Sequence, residues 1–301
     1  MSFCRIETRP YICLALLAAL VFLAGNTGLS AEDGLAKIHK LRKQGEYAQA
    51  AKECRRQLER KSLDEAERKN LMLELAADYQ FDSQVNRSAE AGEAYLNFLN
   101  LWPDDPLAAQ AHFNLARCLE FIGNNREHDL DEARMHYRTV YEKFPGSIWA
   151  DQAYFWLAMS YSKELNKETA AATVERLKDF DQRFPNSALK AVVAAELSEF
   201  ACAYLDDYDM AIESGLKAMN YGIRSHNMKA TLRYRLAYLY QFKKGNPENA
   251  LKWYREIVDA SPTKSDYNYF VALERIGALE GKLKGAKAPK VGESKAGEAV
   301  K

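Results

Sequence analysis

Proline and glycine are sparse, 8 and 15 in 301 residues, too few for the many tight turns of an all-β chain of this length. Cysteine is as rare, five in all. No two stand in a Cys-x-x-Cys pair, so neither a disulfide framework nor a cysteine-ligated metal site is indicated. An excess of charge is also missing. The 42 basic and 42 acidic residues balance, which argues against a nucleic-acid surface and against a polybasic membrane patch. The apolar run Tyr11 to Ala24 would make a helix of roughly 21 Å, short of a hydrocarbon core of about 30 Å. No integral membrane span is therefore expected in the mature chain.

Motifs that carry chemistry are lacking as well. There is no Gly-x-Ser-x-Gly, Gly-x-Gly-x-x-Gly, P-loop or His-Glu-x-x-His, so no enzyme activity, cofactor or metal is expected. Ser-x-x-Lys occurs twice, at Ser214–Lys217 and Ser261–Lys264, without the Lys-Thr-Gly or Ser-Asp-Asn that complete a serine acyl-transferase site. His128 with Asp129, Asp131 and Glu132 could hold a cation, but acidic residues here also suit the start of a helix. The acidic pairs Asp104-Asp105 and Asp206-Asp207 stand where loops lead into helices and read as caps.

What is present begins with a leader. Arg5 and Arg9 precede the apolar run, and Gly25, Asn26, Thr27, Gly28 and Ser30 lead to Ala31 before Glu32-Asp33. This predicts a secretory signal over residues 1–31, cut after Ala31, and a periplasmic or secreted product. A lipid anchor needs its cysteine directly after the run, whereas Cys4 and Cys13 lie before it or at its start. Cys54, Cys118 and Cys202 remain, each inside an apolar helical pattern that predicts a small buried hydrophobe.

Abundant Ala, Leu, Tyr, Glu and Lys favour helix, and one spacing recurs. A small residue is followed four later by a bulky one, three later by another, and five later by Pro: Ala91/Tyr95/Phe98/Pro103, Ala133/Tyr137/Val140/Pro145, Thr173/Leu177/Phe180/Pro185 and Ala250/Tyr254/Ile257/Pro262. Ala50/Cys54/Gln57/Ser62 and Ala211/Gly215/Ala218/Ile223 keep the register more weakly. Offsets of four and three share one helical face, and the Pro marks where that helix has ended. Between these stand Leu75-Ala76-x-x-Tyr79, Leu115-Ala116, Leu157-Ala158-x-x-Tyr161, Leu197-Ser198 and Leu236-Ala237-x-x-Tyr240. The small member of each lets a neighbouring helix approach.

These motifs resemble the tetratricopeptide repeat, over residues 35 to 280. The long first helices with Phe-Pro-x-Ser starts look like the exported subgroup of outer-membrane assembly lipoproteins and cell-division coordinators, here without the lipid-attachment Cys. The resemblance implies an all-α, right-handed superhelical solenoid over residues 32–283. It has about six helix hairpins, near 33–60, 63–101, 106–144, 148–184, 187–222 and 225–260, and a C-terminal capping helix near 265–283. Residues 284–301 have almost no large apolar side chain and are expected to be a disordered tail.

In such a solenoid the first helices line a concave groove. The positions carried over from the family are Phe113, Asn114 and Arg117; Phe155, Trp156 and Met159; Ala195, Glu196 and Glu199; and Tyr234, Arg235 and Tyr238. Arg117 and Arg235 are expected at the surface, because an unpaired buried guanidinium is costly. The function implied is a scaffold or adaptor in the cell envelope that holds other proteins of that compartment in its groove, without chemistry of its own. The alternative is a carbohydrate or peptidoglycan binder that stacks sugars on Trp149 and Trp156.

Overall fold

The computed structural model describes residues 29–82, 87–121, 130–162, 166–261 and 267–287. These are all-α, with no strand among the described residues, and fall into two compact units that divide between Ser187 and Ala188. Unit 1 holds four hairpins: α1 (Leu29–Lys43) with α2 (Tyr47–Leu58), α3 (Glu65–Phe81) with α4 (Ser88–Leu101), α5 (Ala108–Phe121) with α6 (Leu130–Lys143), and α7 (Ala150–Ser160) with α8 (Lys167–Leu177) and the single turn α9 (Phe180–Arg183). Unit 2 holds α10 (Lys190–Ala203) with α11 (Tyr208–Tyr221), α12 (His226–Tyr238) with α13 (Pro247–Ala260), and a last helix α14 (Tyr267–Lys287). Among the described residues the architecture is the expected all-α one, six helix hairpins and a closing helix.

The repeat spacing builds the core in both units. Its small residues, Ala50, Ala91, Ala133, Thr173, Ala211 and Ala250, are all without solvent exposure. The bulky partners Tyr95, Phe98, Tyr137, Val140, Leu177, Phe180, Tyr254 and Ile257 are buried beside them. Each buried phenol finds an acceptor on the preceding helix, five positions past that helix's motif Leu. Tyr95 donates to Gln80 at 3.0 Å, Tyr137 to Glu120 at 2.7 Å and Tyr254 to Gln241 at 2.7 Å. A buried hydroxyl without such a partner would cost about 1–3 kcal/mol. In α11 the bulky position is Gly215. A Cβ there would stand 3.0 Å from Leu236 and 3.2 Å from Leu232, a contact tight enough that the leucine side chains of α12 would have to shift by a few tenths of an ångström.

Helix ends follow local chemistry. Asp64 with Glu67 and Asn166 with Thr169 form capping boxes, while Asp207, Ser225 and Asn246 cap α11, α12 and α13. Gly222 closes α11 in the left-handed region, φ 85°. Asp207 is thus an expected cap, whereas Asp105 accepts a hydrogen bond from the Leu107 amide at 2.8 Å in the turn that precedes α5. Asp131 and Glu132 lie in the first turn of α6, whereas His128 and Asp129 fall outside the described residues.

Four features differ from expectation. The fourth hairpin's second helix breaks after Leu177, leaving α9 separate. α12 passes into a π-helical stretch at Leu239–Lys243, with Lys244 N–H donating to Leu239 O. α14 runs to Lys287, four residues into the segment expected to be a tail, and residues 288–301 lie outside the described chain. Leu29–Ala31, assigned to the leader, open α1, and residues 1–28 are likewise outside it. Cys54, Cys118 and Cys202 are buried free thiols. Burial pushes Cys118 up to about 12, so the thiol stays protonated and unreactive.

Candidate docking face on the first helices

Twelve positions were carried over to the groove face, and the structure separates them. Phe113 and Phe155 are core, at 6% and 2% exposure, and Ala195 is buried with them. Phe113 packs against Trp149 at 5.1 Å and Tyr137 at 5.9 Å between ring centroids. It is therefore no contact for a partner. Trp149, offered as a sugar platform, is half-buried and stacks on Phe113 instead.

Arg117 and Arg235 correct the expectation of exposed guanidinium groups. Their side chains are only 12% and 11% exposed, and each is paired. Arg117 donates to Glu120 at 2.9 Å and lies 3.7 Å from the centre of the Trp156 ring. Glu120 also accepts from the Tyr137 hydroxyl at 2.7 Å. Trp156 (α7), Arg117 and Glu120 (α5) and Tyr137 (α6) thus form one polar and aromatic chain across three helices of unit 1. A cation over a desolvated indole is worth up to about 2 kcal/mol.

In unit 2, Arg235 (α12) is ion-paired with Glu199 (α10) and points a second N–H toward Ala195 O and Ser198 Oγ, each at 3.4 Å. Arg117 and Glu199 both stand two positions after the motif Leu of one first helix. Trp156 and Arg235 both stand one position before the motif Leu of the next. The same two positions therefore meet in both units, as a rung joining consecutive first helices. Asn114, Met159, Glu196, Tyr234 and Tyr238 are half-buried around these rungs. Tyr238 packs on Phe242 at 5.0 Å.

The sequence reading overlooked a polar pair in the third hairpin. His112 (α5) and His136 (α6) meet through their Nδ1 atoms at 2.8 Å, so one donates and the other, which must be neutral, accepts. Desolvation lowers both to about 4, helped at His112 by the charges of His136 and Lys143. The available signal was a His on each helix of one hairpin, 24 residues apart. Among the described residues no group of three or more His, Cys, Asp or Glu is placed to hold a metal ion, and no helix is long and apolar enough to cross a membrane.

Residues 152–187, which span α7 to α9, match the tetratricopeptide repeat family model. Solved structures resemble the chain more broadly. A thermophilic tetratricopeptide repeat protein of Thermus thermophilus is 20% identical, covering 70% of this chain and 98% of its own, at a TM-score of 0.40. The assembly chaperone of RpL4 is 12% identical over 85% of this chain and 97% of its own, TM-score 0.49. A tetratricopeptide repeat protein from Parabacteroides merdae is 12% identical over 84% and 100%, TM-score 0.38. No curated protein matches the chain.

Proposed function

We propose that this protein is a non-catalytic docking scaffold, exported across the inner membrane, that holds an extended segment of another cell-envelope protein against its first helices. The observation that carries the reading is the repeated rung. Arg117–Trp156 and Glu199–Arg235 recur at one register on first helices, while the small and bulky positions fill the hairpin cores without them. Partly buried side chains of mixed aromatic and arginine character, repeated along one face of successive first helices, suit a protein-binding hot spot. Export rests on the leader pattern of residues 1–31.

The test passes the mature chain over envelope proteins and over purified wall polymer. Retention on protein, weakened at least tenfold by Trp156→Ala, supports docking. Retention only on polymer that has been stripped of protein would replace it with wall binding. For export, the full chain expressed in a Gram-negative host should yield a periplasmic product lacking residues 1–31. An unprocessed cytoplasmic product defeats that part alone.

A further inference from the structure

Trp156 marks one side of α7, and the other side holds a feature that docking leaves unused. Tyr154, Ala158 and Tyr161 lie roughly 140–200° round the helix from Trp156 at 3.6 residues per turn. There they help to line a cleft of about 190 Å³, together with Arg138 and Tyr141 of α6, Arg176 of α8 and Arg183 of α9. Cavities of about 150 Å³ admit a benzene-sized molecule, so this cleft has room for a charged group and the chain that carries it.

Its wall is cationic, and the cations are unequal. Arg183 is tied to Asp179 at 2.5 Å, and that carboxylate also accepts from Tyr154 at 2.6 Å. Arg134, behind Tyr161, is tied to Asp131 at 3.0 Å and to Ser160. Among the described residues neither Arg138 nor Arg176 has a carboxylate partner, and the nearby Glu142 accepts from Tyr141 at 3.2 Å. Arg176 is already oriented. Its guanidinium lies 3.8 Å from the centre of the Tyr161 ring, whose ring also carries Arg134 at 4.1 Å, and one N–H donates to Ala172 O at 2.7 Å. A guanidinium stacked on a ring keeps its remaining edge donors for a planar oxyanion.

We propose that this cleft is an oxyanion site, in which Arg138 and Arg176 hold a carboxylate or phosphate against the Tyr161 wall. The shared chemistry admits two sources, an acidic side chain of a protein partner or a free inorganic oxyanion. Charge-assisted bonds from two arginines that have no carboxylate partner among the described residues favour either over a neutral group. The site lies across α7 from the rung and does not depend on the groove reading.

The experiment titrates the full chain at low salt with inorganic phosphate, with a capped penta-glutamate peptide and with its penta-glutamine counterpart, followed by calorimetry. Arg138→Gln, on an exposed position, and Arg176→Lys, which keeps charge but loses the fork, are compared after circular dichroism has established their helix content. Saturable glutamate binding weakened about tenfold by each variant supports a partner's carboxylate. Phosphate binding alone, weakened in the same way, supports the inorganic source and excludes the peptide. Binding of neither anion, equal binding of glutamine and glutamate, or anion binding indifferent to both variants overturns the proposal.

Discussion

The rung in unit 1 and the rung in unit 2 occupy the same two positions of the repeat and use them in opposite ways. In unit 1 the arginine sits on the earlier helix, is neutralised by Glu120 of its own helix, and meets an indole across the gap. In unit 2 it sits on the later helix and meets its carboxylate across the gap. The repeat geometry thus settles where two side chains touch and leaves their chemistry free. The difference in burial is larger than the difference in charge. Glu120 is 1% exposed and serves both Arg117 and Tyr137, whereas Glu199 is 34% exposed. A deep rung is part of the fold, and a shallow one can be altered for binding at little structural cost.

The strongest way to break this comparison is Glu120→Gln. Removing one member of a buried ion pair leaves a desolvated charge and costs about 3–5 kcal/mol, so urea unfolding should show a large loss, with hydrogen exchange rising first in α5 to α7. Glu199→Gln should cost less, about 1 kcal/mol, because its carboxylate is a third exposed and Arg235 keeps Ala195 O and Ser198 Oγ as acceptors. Equal losses would mean that depth does not distinguish the rungs.

Acid gives the next largest effect, and again in one unit. His112 and His136 keep depressed values of about 4 in the folded state, against about 6.5 unfolded. Between those values the unfolded chain binds protons that the folded chain refuses, so stability is lost as pH falls from 6.5 toward 4. At pH 5 the loss is at most about 2 kcal/mol per imidazole, and less for the partly exposed His112. The groups facing the pair are Lys143 and Phe144 near His112, and Glu132, 3.8 Å from His136. Hydrogen exchange at pH 5 should therefore open α5 and α6 before α10 and α11. A His112→Asn/His136→Asn variant should lose that ordering.

The hairpins were legible because their signal is local. Ala133, Tyr137 and Val140 share a face by offsets of four and three, and one backbone period forces all three inward. The site was legible only in part. Phe113 lies on a first helix that packs against its own hairpin and the next one, and Tyr137 of the first and Trp149 of the second cover it. The Arg117–Glu120 pair was within reach of sequence, being three apart on one helix. Glu199 and Arg235 were not, since 36 residues separate them and only the stacking of hairpins aligns them. The oxyanion cleft was hidden for the same reason, with Arg138, Tyr161 and Arg176 arriving from three segments.

The smallest predicted effect sharpens the comparison most. Two double-mutant cycles, Arg117→Ala with Trp156→Ala and Glu199→Ala with Arg235→Ala, isolate each rung from the losses of its separate members. The first pairs a desolvated cation with an indole and should couple by about 1–2 kcal/mol. The second joins charges of which one is a third exposed, and should couple by about 0.2–1 kcal/mol. Salt separates them further. At 1 M the screening length falls to about 3 Å, so the Glu199–Arg235 coupling should shrink toward zero. The Arg117–Trp156 coupling should persist, because its 3.7 Å stacking distance leaves no room for solvent ions between the groups. A salt-insensitive second rung would show that Arg235 is held by Ala195 O and Ser198 Oγ more than by the carboxylate, and the two rungs would then differ in partner and not in depth.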